Sequence, residues 1–164
     1  MPKQKKSAAT DSLPYRRGVG IALFNPRGKV FVAQRIDSPG PAWQMPQGGI
    51  DKGEDPLAAA WREMQEETGV TSADLLAESR DWLRYDLPAD LAARMWKGKY
   101  RGQEQKWFAF RFRGDESEID IDGKHPEFSR WKWTPFRRVP ELIVPFKRGL
   151  YEDVVREFAH LAKD

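Results

Sequence analysis

Three glutamates, Glu63, Glu66 and Glu67, fall within one short stretch whose apolar residues recur with helical spacing. On a helical wheel advancing roughly 100° per residue, Leu57, Ala60, Trp61 and Met64 form a stripe suited to burial. The three glutamates share a separate face directed away from that stripe. Left alone, the arrangement opposes the helix twice. Glu63 and Glu67 are a like-charged i,i+4 pair, worth about 0.2–0.5 kcal/mol against it. All three also sit in the last turns, where the negative end of the helix dipole repels anions. A hard divalent cation answers both problems, because clustered carboxylate oxygens are ligands that magnesium and manganese accept. The competing reading of these three residues alone is an acidic stripe facing solvent.

The elements that must position them can be followed along the chain. Residues 1–13 are polar and basic, which predicts a flexible tail ahead of one domain over residues 14–164. Two strand-like runs, Val19–Phe24 and Lys29–Arg35, flank Asn25-Pro26-Arg27-Gly28, whose Pro and Gly positions suit a type I turn. Ser38-Pro39-Gly40-Pro41 reads as a loop and Trp43–Pro46 as a short extended piece. The acidic helix is predicted to start at Asp55-Pro56, with Asp as N-cap, and to stop before Gly69. A strand is expected within Leu75–Arg84, then an insertion with some helical character over Leu87–Gly102. Lys106–Arg113 and Phe128–Trp133 read as further strands around an acidic loop, Gly114–Pro126. Leu150, Val154, Phe158 and Leu161 mark a closing amphipathic helix after Pro145. Strands interrupted by one helix and closed by another predict an α/β sandwich around a mixed sheet.

Composition narrows the chemistry. The 164 residues carry 28 Lys and Arg against 25 Asp and Glu, a net charge of +3, so partner preference rests on where the charges cluster. Basic groups gather at Lys3–Lys6, Arg16-Arg17, Lys97–Arg101 and Arg130–Arg138; acidic ones gather at Asp51–Glu67 and Asp115–Asp122. A polyanion suits the first set and a cation the second. Without cysteine there is no disulfide, thiolate nucleophile or cysteine-bound zinc. No apolar run reaches the roughly 20 residues of a membrane span, and the basic N-terminus lacks the apolar stretch of a secretory signal. A cytoplasmic protein with no membrane and no obligate protein partner is expected. His125 and His160 are read as solvated groups, and no Ser–His–Asp arrangement can be built.

The segment Gly48-Gly49-Ile50-Asp51-Lys52-Gly53-Glu54-Asp55-Pro56-Leu57-Ala58-Ala59-Ala60-Trp61-Arg62-Glu63-Met64-Gln65-Glu66-Glu67-Thr68-Gly69-Val70 resembles the Nudix box. Each position that pattern specifies is filled, with Met64 and Val70 as its aliphatic residues. The resemblance implies a Nudix-type α/β/α sandwich with a mixed β-sheet, the box helix and a C-terminal helix. It also implies hydrolysis of a phosphoanhydride bond with Mg2+, for which Mn2+ or another divalent ion can substitute. By position, Glu63, Glu66 and Glu67 resemble the metal ligands, with Glu54 a weaker or water-mediated one. Arg62 resembles the arginine that orients a catalytic glutamate. Gly48, Gly49 and Gly53 are matched to tight turns beside phosphates, and Ile50 to packing under the loop. The general base stays open between Glu66 and Glu67, with Glu127, at a strand start after a long loop, as a rival.

Beyond the box, Tyr15-Arg16, Val19-Gly20-Ile21, Trp43–Gly49, Gln103–Phe108, Pro126-Glu127-Phe128 and Val144–Lys147 are similar to bacterial RNA pyrophosphohydrolases and dinucleoside polyphosphate hydrolases. The similarity implies 5′-triphosphorylated RNA or a dinucleoside polyphosphate as partner. Arg16 and Arg35 then become phosphate contacts, because a guanidinium fork matches phosphate oxygens; Lys106 would assist. Phe146 matches a base-stacking position, with Tyr85 and Trp43 as lesser candidates. The chain departs from these relatives at Ser129, where an acid is common, and in its longer basic N-terminus. The insertion Lys97-Gly98-Lys99-Tyr100-Arg101 leans toward RNA, whose backbone needs cationic contacts. The other classes weighed are a small-molecule polyphosphate hydrolase and a non-catalytic nucleotide- or RNA-binding module, the latter disfavoured because no box glutamate is missing.

Overall fold

Every residue from Gly18 to Phe24 is buried, which a strand achieves only when both of its faces are covered. The computed structural model, which describes residues 12–38 and 40–162, places this run in a central strand. The basic tail thus lies outside the described residues up to residue 11, and so does Pro39 of the predicted loop. In chain order the elements are β1 (Tyr15–Phe24), β2 (Val30–Arg35), β3 (Gln47–Gly49), α1 (Pro56–Thr68), β4 (Ala73–Glu78) and β5 (Leu83–Asp86). They continue with α2 (Ala89–Arg94), β6 (Gly102–Phe112), β7 (Phe128–Thr134), α3 (Val139–Leu142) and α4 (Arg148–Phe158).

The sheet runs β4-β6-β1-β2-β7, with β3 added to β1 and β5 to β6. β1 and β6 are parallel, and the other pairings are antiparallel. Alternation along β1 divides the core. Val19, Ile21 and Leu23 pack with Ala60 and Met64 of α1, while Ala22 and Phe24 pack with Leu150, Tyr151, Val154 and Phe158 near or on α4. Helices therefore cover both faces, the α/β/α sandwich that the resemblance implied. Gly20 fits this centre because a Cβ there would enter the Trp107 indole.

The hairpin between β1 and β2 forms as its turn residues predict. The Gly28 N–H donates to the Asn25 carbonyl at 2.9 Å, and the Asn25 side chain accepts from Arg27 and Lys29. Beyond Phe24 and Val30 the segment 44–49 lies between the two strands: Gln44 bridges Ala33 of β2, and β3 pairs with Gly18–Gly20 of β1. Gly48 and Gly49 are carried by that wedge.

Several elements differ in extent from the sequence expectations; β1, expected at Val19–Phe24, already starts at Tyr15. Leu75–Arg84 contains parts of two strands, because the chain turns at Ser79–Asp81 before pairing with β6 a second time. The strand expected at Lys106 starts at Gly102, where polar Gln103 and Gln105 sit buried among amide partners and mask its strand character. The Leu87–Gly102 insertion holds α2 and a tight turn in which Trp96 and Lys97 adopt φ 49° and 60°. For residues with a Cβ, such left-handed backbone costs of order 1–2 kcal/mol each.

α1 begins and ends as its sequence directs. Asp55 accepts the N–H groups of Leu57 and Ala58 at 3.1 and 3.3 Å, Pro56 follows, and Gly69 closes the helix at φ 76°. Asp55→Ala should lower stability by about 1 kcal/mol, measured as a shifted urea midpoint with an unchanged slope. An unshifted midpoint contradicts the capping role.

Candidate active site

The glutamate face of α1 is separate from the buried stripe, but it is not the solvent-facing stripe of the competing reading. β3 lies across it, so Glu67 is only 6% exposed and its carboxylate accepts the Gln47 N–H at 3.2 Å. Glu63 is pressed under the same strand, where a Cβ on Gly48 would overlap its carboxylate. Only Glu66 of the three is well exposed.

Arg62 organises the outer part of this cluster. Its Nε and Nη2 fork the Glu54 carboxylate at 2.8 and 2.9 Å, and Nη2 also donates to the Gly49 carbonyl at 2.9 Å. Nη1 donates to Glu63 at 2.9 Å and to Glu66 at 3.3 Å. These bonds use all five N–H donors of a guanidinium, which a lysine could not match. Glu54, which also accepts the Asp51 N–H, is held down to about 2 by its Arg62 hydrogen bonds and the backbone bond. Glu54 is thus a loop anchor for Arg62 in this arrangement.

The inner glutamates behave in the opposite way. Burial pushes Glu63 up to about 7 even though Arg62 pulls against it. Burial also raises Glu67 well above the ordinary carboxylate range, with the charges of Glu127 and Glu63 and a hydrogen bond to Glu127 adding to the effect. Glu127, at the foot of β7, is therefore brought to the box glutamates from a distant part of the chain. Two carboxylates this close retain a proton unless a cation joins them.

A cleft of about 580 Å³ opens beside this cluster. Glu63, Glu127, Gly48 and Gly49 line it together with Arg16 and Arg35. Arg16 lies against Gly49 so closely that a Cβ there would collide with its guanidinium, and its Cζ stands 5.1 Å from the Trp96 ring. Arg35 forks Asp37 with two bonds of 2.8 Å at the cleft margin. Tyr85 and Phe146 form an aromatic wall with ring centroids 6.0 Å apart.

Two sequence candidates sit elsewhere. Lys106 alternates to the other face of β6, where its Nζ donates to the Arg80 carbonyl at 3.2 Å and approaches Glu78. Trp43 presents its ring to Arg130 and Lys132 rather than to the cleft. The cation actually supplied is Lys147, 8% exposed, which donates to Gln47 Oε1 at 3.3 Å and lies over the Tyr85 ring. Burial, and then the charge of Arg35, push it down to about 8. The signal for it was a lysine directly after Phe146 in an otherwise apolar closing segment. Gln44, Gln47, Gln103 and Trp96 are further lining residues that sequence reasoning did not single out. Gln44 is notable because its buried amide nitrogen has no hydrogen-bond partner. Ile50 packs under the loop as expected, His125 and His160 are exposed, and Ser129 leans on the Gln34 carbonyl.

Among the described residues, no three acidic or histidine side chains stand in a ready ion cage, because Arg62 engages the outer ones. The donor set nevertheless suits a hard divalent ion. Glu63, Glu67 and Glu127 offer oxygens that crowd one another, and Glu66 is exposed beside them.

A glutamate-rich loop and helix facing cationic side chains across a cleft define a class of phosphoanhydride hydrolase, and the NUDIX-domain profile matches residues 14–154. The chain belongs to the Nudix family. Among its relatives, the RNA pyrophosphohydrolase of Rhodospirillum rubrum is 58% identical, covering 98% of this chain and 96% of its own length. That of Brucella anthropi is 55% identical, covering 98% and 99%. Solved structures share the fold at lower identity. The Escherichia coli dihydroneopterin triphosphate pyrophosphohydrolase superposes with a TM-score of 0.66 at 20% identity, over 87% of this chain and 98% of its own. A Caenorhabditis elegans Ap4A hydrolase complex gives 0.63 at 19%, over 88% and 98%.

Glu67→Gln isolates the cost of the buried carboxylate. The folded protein holds the Glu67 proton to higher pH than the unfolded chain does. Metal-free stability from this group is therefore full below about pH 4.5 and declines as pH rises. In chelator at pH 8 the variant should melt higher than the parent, because Gln carries no charge to bury. Near pH 4.5 the difference should vanish. A variant that melts lower at pH 8 contradicts the assignment.

Proposed function

We propose that the chain removes pyrophosphate from the 5′-triphosphate end of RNA, with Mg2+ as its ion and with Mn2+ able to replace it. The observation that carries this reading is the cleft itself. Glu63 and Glu127 line it together with Arg16, Arg35 and Lys147, and Tyr85 and Phe146 offer aromatic surface. A nucleoside joined to a metal-bound polyphosphate calls for that same combination of acidic, cationic and aromatic groups. The RNA substrate is favoured by relatives of 54–59% identity, each named RNA pyrophosphohydrolase. The exposed lysines Lys97 and Lys99 beside the cleft residue Trp96 support it, since RNA beyond its first nucleotide presents more phosphates.

Nudix hydrolases in general use divalent ions. Glu63, Glu66, Glu67 and Glu127 would hold one here, where it would lower the pKa of an attacking water and offset phosphoryl charge. The protein's own groups do the rest. Arg16 and Arg35 fix the phosphate chain by charge-assisted hydrogen bonds, with Arg35 exchanging Asp37 for phosphate. Lys147 adds a third cation whose charge is weakened above about pH 8. A carboxylate of the acidic cluster, Glu66, Glu67 or Glu127, would accept the water proton. Arg62 keeps Glu63 and Glu66 in place while Glu54 anchors it to the loop. Phe146 stacks on a base, a contact worth about 1–3 kcal/mol.

The second reading is asymmetric cleavage of a dinucleoside polyphosphate, favoured by a structural neighbour named Ap4A hydrolase. Incubation with magnesium and either 5′-triphosphorylated RNA or diadenosine tetraphosphate separates the two. The RNA reading expects pyrophosphate and 5′-monophosphorylated RNA, with kcat/KM at least tenfold above that for the dinucleotide. Faster release of ATP and AMP from the dinucleotide contradicts it. Glu66→Gln and Glu67→Gln should each cut kcat by about 100-fold or more, and full activity of either variant removes that residue from the mechanism.

A further inference from the structure

The tight turn after α2 contains a departure from the rules of local structure that the fold does not require. Trp96 and Lys97 occupy left-handed backbone in succession, at φ 49° and 60°, before Gly98 at φ 69°. Glycine tolerates that region, whereas a bulky aromatic residue rarely enters it. Backbone strain of this kind persists where surrounding contacts enforce it, and it concentrates at functional sites. Here the enforced conformation has a definite product. It turns the Trp96 ring toward the cleft wall, edge-on to Tyr100 with centroids 6.0 Å apart and 5.1 Å from the Arg16 guanidinium carbon.

Arg16 is confined on a second side as well. It rises from β1 next to β3, and the missing side chain of Gly49 provides the space that its guanidinium fills. The group is thus bracketed between the Gly49 backbone and the Trp96 ring. A free arginine loses rotamer freedom when it closes on a phosphate, and one already held in place avoids that loss. The aromatic face also attracts the cation without consuming any of its N–H donors, which leaves the fork available to phosphate oxygens.

We infer that Trp96 is a positioning residue, held in strained backbone so that its ring presets Arg16 for the substrate's polyphosphate. This rests on the reading of Arg16 as a phosphate contact, and the test distinguishes failure of either one. Steady-state kinetics on a 5′-triphosphorylated oligonucleotide with magnesium would compare Trp96→Leu, Trp96→Phe and Trp96→Gly, each alone and in an Arg16→Ala background. Trp96→Leu keeps bulk but lacks the aromatic face, so KM should rise about 3- to 30-fold while kcat stays within about twofold. Trp96→Phe should restore most of the affinity. Trp96→Gly removes the ring and relieves the left-handed backbone together, so KM should rise as it does for Leu. Recovery of KM by Trp96→Phe but not by Trp96→Gly separates lost positioning by the ring from the backbone conformation itself. In the Arg16→Ala background none of the three should change KM further, because Trp96 acts through the missing group.

An unchanged KM in Trp96→Leu overturns the inference. So does a Trp96→Leu effect that multiplies with that of Arg16→Ala, which would mean a direct contact between the ring and substrate. If Arg16→Ala alone leaves KM and kcat unchanged, the phosphate role of Arg16 fails, and the inference falls with it.

Discussion

Carboxylates taken out of water need either a proton or a cation, and the inner end of α1 offers Glu63 and Glu67 little of the second. Glu67 is buried beneath β3 and hydrogen-bonded to Glu127, while Glu63 shares only part of Arg62. Like charges drawn together in this way destabilise a fold that has no use for them. Much of the surrounding structure serves to maintain the crowding. Asp55 and Gly69 fix where α1 begins and ends, and the wedge between β1 and β2 brings Gln47 and Gly48 down on its glutamates. Glu127 reaches the same place because β7 pairs with β2 at the sheet edge, directly beyond Arg35.

The cleft is consequently divided in charge. Its acidic end attracts a cation and, without one, holds protons; its basic side, with Arg16, Arg35 and Lys147, attracts polyanions. A polyphosphate with a bound divalent ion satisfies both, each charge lowering the cost of placing the other. The uneven proton affinities fit a catalytic division of labour. Glu54 stays ionised and anchors Arg62, whereas Glu63 is pushed up to about 7 and burial raises Glu67 as well. Lys147 reaches a similar compromise from the other direction, its ammonium weakened by burial beside Gln47 and Tyr85.

The parts of this arrangement that rest on local spacing could be read in the chain. The cap of α1, its glycine stop, the Asn25–Gly28 turn and the grouping of Glu63, Glu66 and Glu67 all follow from residues close together in sequence. The family resemblance added Arg16, Arg35, Phe146 and Tyr85, and all four line the cleft. What escaped depends on packing between distant segments. A helical wheel separates faces but does not reveal that β3 covers the polar one and buries Glu67. Lys106 and its neighbours on β6 alternate in direction, and its register beside Val19 sends it to the α1 side, away from the cleft. Lys147 closes the site from a segment roughly 100 residues beyond Gln47, with no periodicity to announce it. Trp96 was concealed in an insertion whose backbone defies its own propensities.

Proton release on metal binding is the most direct probe of the crowded carboxylates. Calorimetric titration of the full chain with Mn2+ at pH 7, repeated in buffers of different ionisation enthalpy, counts the protons set free. Protons should leave as the ion binds, because burial and the neighbouring carboxylates favour the protonated form of Glu67 and a cation reverses that preference. Binding heats that do not vary with buffer would mean that these glutamates are already ionised together, and that their burial does not require the ion.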